Sequence, residues 1–251
     1  MKQIFSRQTL KAHRDRSSHF IEDNFLHQTA AKMLFERINI LNIIQGKALE
    51  ISANAGFLSQ FLSNFDLTVT DSSSLLLALN PCKKQICLDD EELNLAFEEN
   101  DLVLSCLNVH WINDVLLFFK QIYNNLKPGG TFLANFIGGK SLKSLRTRLV
   151  NMEIASRIPS FAHISPFILK EDISSLMLKA GFKKLVVDSD VLEVSYPNIL
   201  ALMRDLQKMG QSNKLLQSAG KSLSKKLYFD LLASSEAMLT DFEIITLCGQ
   251  K

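Results

Sequence analysis

The chain has 251 residues, 47% hydrophobic and 22% charged, with 28 Lys and Arg against 26 Asp and Glu for a net charge of +2. This composition lies close to the globular average and excludes disordered, collagen-like and low-complexity classes. Charge this evenly balanced projects no long-range field, so binding of nucleic acid or of a membrane surface is not called for, and no apolar run reaches the roughly 18 residues of a membrane span.

A chain of this length buries enough surface for a full α/β layer structure, and without a Pro/Gly/Ser linker or internal repeat it reads as a single domain over residues 1–251. Lys2, Arg7, Lys11 and Arg14 precede the first acid, a bias shared with transit peptides, but Asp15, Glu22 and Asp23 carry on into a helical pattern. Residues 1–45 are therefore expected to form an N-terminal helical cap. Cys82, Cys87, Cys106 and Cys248 make no C-x-x-C pair, so no metal site is expected and a reducing, cytoplasmic setting is.

From there short strand-like runs alternate with helix-period segments, the pattern of a mostly parallel sheet with helices on both faces. Lys47 to Ser52 reads as a buried strand, and Phe57, Leu58, Phe61, Leu62 and Phe65 then recur at helical spacing, predicting a helix. Leu67 to Asp71 is a second strand ending in an acid; Ser72 to Ser74 are good caps for the LLLAL run that follows. Lys84 to Leu88 and Asp101 to Leu107 are the third and fourth strands, and Asn113 or Asp114 caps a helix with Val115, Phe119, Ile122 and Leu126 on one stripe. Thr131 to Phe136 is a fifth strand, Leu142, Leu145 and Leu149 mark another helix, and Met152 to Pro166, with two prolines, reads as a cover over the strand ends. After a helix at Ile173 to Ala180, the long run from Phe182 to Val194 and the run Phe242 to Gln250 form an antiparallel pair at the sheet edge. The helical insertion from Pro197 to Ser235 lies between them.

In such a sheet ligands bind beyond the carboxyl ends of the strands, where strand order reverses. That singles out Glu50 to Gly56, Asp71, Asp89 or Asp90, and Ser105 to Trp111. An acid closing the second strand can accept hydrogen bonds from both hydroxyls of a ribose; an exposed turn acid is the equally weighted alternative.

Three segments carry a family likeness: LEISANAGFLSQFL from Leu49, DLVLSCLNVHWIND from Asp101, and LKPGGTFLANFIGGKSLKSLR from Leu126. With them the chain resembles a class I S-adenosylmethionine-dependent methyltransferase. HISPF from His163, AGF from Ala180, YPNILALMRDLQKMGQSN from Tyr196 and FSRQTLKAHRDR from Phe5 narrow the resemblance. Within the branch that holds the biotin-pathway malonyl-carrier-protein methyltransferase and a methyltransferase-like mitochondrial complex I assembly factor, the later segments resemble the assembly-factor side in particular. The resemblance implies a Rossmann-like, seven-stranded, mostly parallel sheet with an antiparallel edge strand, residues 46–151 forming the cofactor-binding core. It implies S-adenosylmethionine as cofactor, with Glu50 near its methionine end, Asp71 on the ribose, Asp90 (or Asp89) at the adenine edge, and Ser105 facing the methyl group.

One departure stands out. The family's first turn has glycines after the acid, whereas this chain reads Glu50-Ile51-Ser52-Ala53-Asn54-Ala55-Gly56. Glycine serves there because the backbone turns left-handed and passes close to the ligand. Ser52 or Asn54 in that conformation costs roughly 1 kcal/mol, and a combined loss of about 1.4 to 2.8 kcal/mol would weaken binding tenfold to a hundredfold. The chain has only 10 glycines, so general glycine depletion is a competing explanation, although Gly129, Gly130, Gly138 and Gly139 are retained.

For catalysis, His110 beside Trp111 is a candidate to position an acceptor, and His163 a candidate general base; core packing and a structural loop histidine are the respective alternatives. Arg14 and Arg16 would hold an acidic acceptor or lie on a solvated helix face. Two functions follow: methyl transfer to a small-molecule or protein acceptor, or a non-methylating factor for assembly or modification of a respiratory complex subunit.

Overall fold

The computed structural model describes residues 3–157, 161–218, 223–233 and 236–251. Two helices open the chain, α1 (Arg7–Ser17) and α2 (Phe25–Ile40). Each starts at a side-chain cap, Ser6 accepting from the Thr9 amide and Asn24 from the His27 amide.

Seven strands follow: β1 (Gly46–Ile51), β2 (Phe65–Asp71), β3 (Gln85–Cys87), β4 (Asn100–Cys106), β5 (Leu126–Ile137), β6 (Lys183–Tyr196) and β7 (Met238–Gln250). They form one sheet of order β3-β2-β1-β4-β5-β7-β6. Pairing is parallel from β3 to β5, and β7 runs antiparallel to both β5 and β6. The reversal of strand order lies between β1 and β4, the place where a parallel sheet opens a crevice.

Alternate residues of the central strands serve two cores. Ala48, Leu102, Leu104, Leu133 and Ile244 pack with α2 on one side. Leu49, Val103, Phe132, Phe136 and Ile245 pack on the other with α4 (Val115–Asn125) and α6 (Lys170–Ala180). Burial on both faces is why these strands read as continuous apolar runs. The remaining helices are α3 (Ser74–Leu79), α5 (Lys143–Ser156), α7 (Ile199–Lys208) and α8 (Lys225–Ala233).

Two expectations change. The helix predicted from Phe57 is a 3-10 turn, Ser59–Phe61; Phe57, Leu58 and Leu62 are buried as the period required, but β2 already begins at Phe65 and leaves no length for a helix. The cover predicted from Met152 starts later, because α5 runs on to Ser156; residues 158–160 of that segment, and 219–222 and 234–235 of the helical insertion, lie outside the described residues.

Candidate active site

The turn after β1 has the left-handed backbone expected of a glycine motif, with φ of +60° at Ser52, +53° at Asn54 and +88° at Gly56. Gly56 has a further constraint, because a Cβ there would run into the Pro81 ring and the Asn80 side chain. Asn54 steadies itself by accepting the Ala55 amide on its own Oδ1 (2.8 Å), the local bonding that lets asparagine tolerate this conformation.

The strand ends bring Glu50, Asp71, Asp90 and Asn108 together as a buried polar shelf, whereas Ser105, the register partner of Ile51, is buried on the other face of the sheet. Asp71 accepts the Asn54 amide on Oδ2 (3.0 Å) and the Ser73 amide on Oδ1 (2.8 Å). Burial pushes its carboxyl upward, with Arg14 opposing and Asp90 adding to the shift. Glu50 is fully buried; Ser59 Oγ donates to its Oε2 (2.6 Å), yet burial raises its carboxyl to about 8. Of the two acids after β3, Asp90 is buried in the shelf and Asp89 lies outward against Arg7 (2.7 Å).

The shelf is filled from above by α1. The Arg14 guanidinium donates from Nη1 to Asp90 (2.8 Å) and Ser72 (2.8 Å), and from Nη2 to Asn108 (2.8 Å) and Ser52, with Asp71 at 3.6 Å. Arg14 is only 7% exposed, so the solvated-face alternative does not hold for it. Asp90 and Asp71 outweigh burial and keep it charged. The segment before α1 is clasped in place: Ser6 N–H donates to Lys214 O (2.9 Å), Leu216 N–H to Ile4 O (2.9 Å), and Phe5 meets the Trp111 ring edge-on at 5.6 Å. About 10 Å³ remains beneath, room for one water.

Three shelf atoms are nevertheless left without a hydrogen-bond partner among the described residues: Glu50 Oε1, Asp90 Oδ1 and Asn108 Nδ2. Buried polar atoms are seldom orphaned, and a cluster of them at one crevice marks a place shaped for a polar ligand.

A second cavity of about 940 Å³ adjoins the shelf, and Trp111 and Gln211 line both spaces. Gln211 Oε1 accepts from Trp111 Nε1 (3.0 Å) and pairs with His110 Nε2 (3.1 Å). His110 Nδ1 takes the Ile137 amide (3.3 Å), so Nε2 carries the hydrogen and donates to Gln211. Burial holds this imidazole well below its ordinary value, and it is neutral. His163 lies on the wall of the larger cavity with Nε2 against Glu153 Oε1 (2.6 Å) and its ring 4.0 Å from Phe161. His163 thus lines the larger cavity, whereas His110 is among the lining residues of neither space.

Sequence reasoning passed over three residues here. His27 of α2 stacks on Phe57 at 5.7 Å with its Nε2 3.4 Å from Asn54 Nδ2, and burial lowers its pKa to about 3. Gln211 sits in the quoted KMGQSN segment without any pattern to mark it. Lys214 is buried with its Nζ 3.5 Å from the Trp111 ring centre and donates to Gly210 O (2.6 Å) and Ser212 O (3.0 Å).

Comparison with known proteins identifies the relatives of this chain. A family model described as a methyltransferase domain matches residues 49–134. A protein of Rickettsia prowazekii that carries a methyltransferase name, RP459, is 39% identical over 184 residues, 72% of this chain and 81% of that protein. The mitochondrial arginine-hydroxylase NDUFAF5 of Danio rerio is 31% identical over 99% of this chain and 83% of its own length. Among solved structures, a SAM-dependent methyltransferase from Thermotoga maritima superposes with a TM-score of 0.57 at 16% identity, covering 96% of this chain and 99% of that one, a likeness of fold.

Proposed function

Because the chain belongs to the class I S-adenosylmethionine-dependent methyltransferases, we propose that the shelf over β1, β2 and β4 holds S-adenosylmethionine once Arg14 has left it. The observation that supports this reading is the group of orphaned polar atoms at the crevice. Asp71 would accept the sugar hydroxyls, Glu50 would face the amino-acid end, and Asp90 the adenine side. The altered turn is compatible with that role, since Ser52 and Asn54 already adopt the left-handed backbone that glycines supply elsewhere.

Bound there, the cofactor supplies a methyl group activated by a sulfonium. The chain's own part is to align an acceptor and exclude water, the two contributions an already electrophilic methyl group requires. His110 has both ring nitrogens committed, so its role is to hold Gln211 in one orientation rather than to take a proton. His163, oriented by Glu153, is the wall residue able to act as a base for an acceptor that needs one.

The Arg14 contacts favour a second reading as well, a protein that keeps its site filled and acts by binding a respiratory-complex protein. The arginine-directed activity in the zebrafish relative's name fits less well, since no Asp or Glu is among the described residues lining the larger cavity to receive a guanidinium. Titration calorimetry with S-adenosylhomocysteine separates the readings. We expect measurable binding to the wild-type chain and at least about a tenfold loss, roughly 1.4 kcal/mol, in Asp71→Ala. No binding at millimolar ligand to either the wild type or Arg14→Ala would overturn methyl transfer and leave the binding factor.

A further inference from the structure

The larger cavity has a chemical character of its own. Its walls come from α5, α7, α8 and the segment around Phe167, with Leu145, Leu149, Leu200, Met203 and Phe229 among the lining side chains. At about 940 Å³ it is near the top of the range for small-molecule sites, roughly 300–1,000 Å³. Its charged lining residues are bases: Arg204 and Lys225 are exposed and therefore sit at the rim. Neither forms an ion pair with a carboxylate among the described residues, and Glu153, the acid that meets the wall residue His163, is engaged with it. At the inner end the Gln211 amide is fixed by Trp111 and His110 through Oε1, which leaves Nε2 without a partner among the described residues at the junction of the two cavities.

We propose that this chamber binds an amphipathic carboxylate. Its aliphatic or aromatic body lies among the leucine and phenylalanine walls, its carboxylate between Arg204 and Lys225, and an oxygen at its inner end accepts from Gln211 Nε2. A cationic ligand of the same length is disfavoured, because it would bring a positive charge to a rim that has two and no acid to answer it. The identification of this ligand as the methyl acceptor rests on the methyltransferase reading above; its binding does not, and is measured without cofactor.

Trp111, the single tryptophan of the chain, lines the chamber and reports occupancy by fluorescence. The probes are three twelve-carbon compounds differing at one end: 12-hydroxydodecanoate, dodecane-1,12-diol and 12-hydroxydodecylammonium. The acid is expected to bind the wild-type chain about tenfold more tightly than the diol, and the ammonium most weakly. Arg204→Gln with Lys225→Gln should remove the preference for the acid while leaving diol affinity unchanged, and Gln211→Leu should weaken both acid and diol. Equal or tighter binding of the ammonium, or an acid preference that survives loss of both rim cations, overturns the proposal. Binding of the acid by a chain that takes up no S-adenosylhomocysteine keeps the chamber and removes only its role in methyl transfer.

Discussion

A carboxylic acid that keeps its proton near neutrality is sensitive to whatever binds beside it, and Glu50 is such a group. Burial raises it from 4.5 to about 8, so across that interval the folded chain retains a proton that the unfolded chain gives up. Its contribution to stability is complete below about 4.5 and is lost as pH climbs toward 8, on the order of a few kcal/mol. Glu50→Gln should flatten denaturant-measured stability over this window. An ammonium group placed against Glu50 favours the ionised form, so S-adenosylhomocysteine should release a proton on binding at pH 7. Affinity should then rise by up to about tenfold per pH unit until pH 8, a dependence absent in Glu50→Gln and measurable by calorimetry in buffers of different ionisation enthalpy. At the neighbouring turn the left-handed geometry expected of Ser52 or Asn54 was legible in the sequence. The sequence could not show why position 56 requires glycine: Pro81 and Asn80 close on it from a segment 24 residues away. Gly56→Ala should cost about 2–4 kcal/mol, strain and collision together, whereas Ser52→Gly trades backbone relief against lost hydrogen bonds and should move stability by no more than about 1 kcal/mol.

Helix α1 shows where element-level reading stops. Its cap and its limits follow from local residues, and a basic helix read on its own has a wet face. What turns Arg14 inward is a set of acceptors from the ends of β1, β2, β3 and β4, which meet only once the sheet is assembled. Removing Arg14 would leave Asp71 buried without its counter-ion and Asp90 with Arg7 alone at 3.4 Å, and Arg14→Ala should lose about 3–5 kcal/mol of stability. The same variant should bind S-adenosylhomocysteine about tenfold more tightly, because the competent form no longer has to be reached by undocking the helix. Hydrogen exchange gives an independent check: ligand should speed exchange in α1 while slowing it at the ends of β1 and β2, and slower exchange in α1 would contradict the displacement. The short turn at Ser59–Phe61 teaches a related lesson, since the apolar period correctly marked its buried side but says nothing of how many residues the next strand leaves available.

For the molecule as a whole, the alternation of strands and helices carried the fold. Buried parallel strands are continuous in hydrophobicity, and the last two strands, expected as a pair at the sheet edge, do lie there antiparallel. Strand order is encoded in no local pattern, so the place of the crevice between β1 and β4 emerges only from the assembled sheet. The chamber beside it was invisible for another reason, in that its wall residues are the ordinary apolar stripes of α5 and α7, indistinguishable in sequence from core. The docked arginine also bears on how ligands of this protein would be discovered. Since the native state already satisfies its shelf from within, a nucleoside entering there exchanges one set of contacts for another and raises the melting temperature little, even when its intrinsic affinity is high. Thermal-shift screening should accordingly rank compounds that settle beneath Leu145 and Leu200, which unseat nothing, ahead of the cofactor itself.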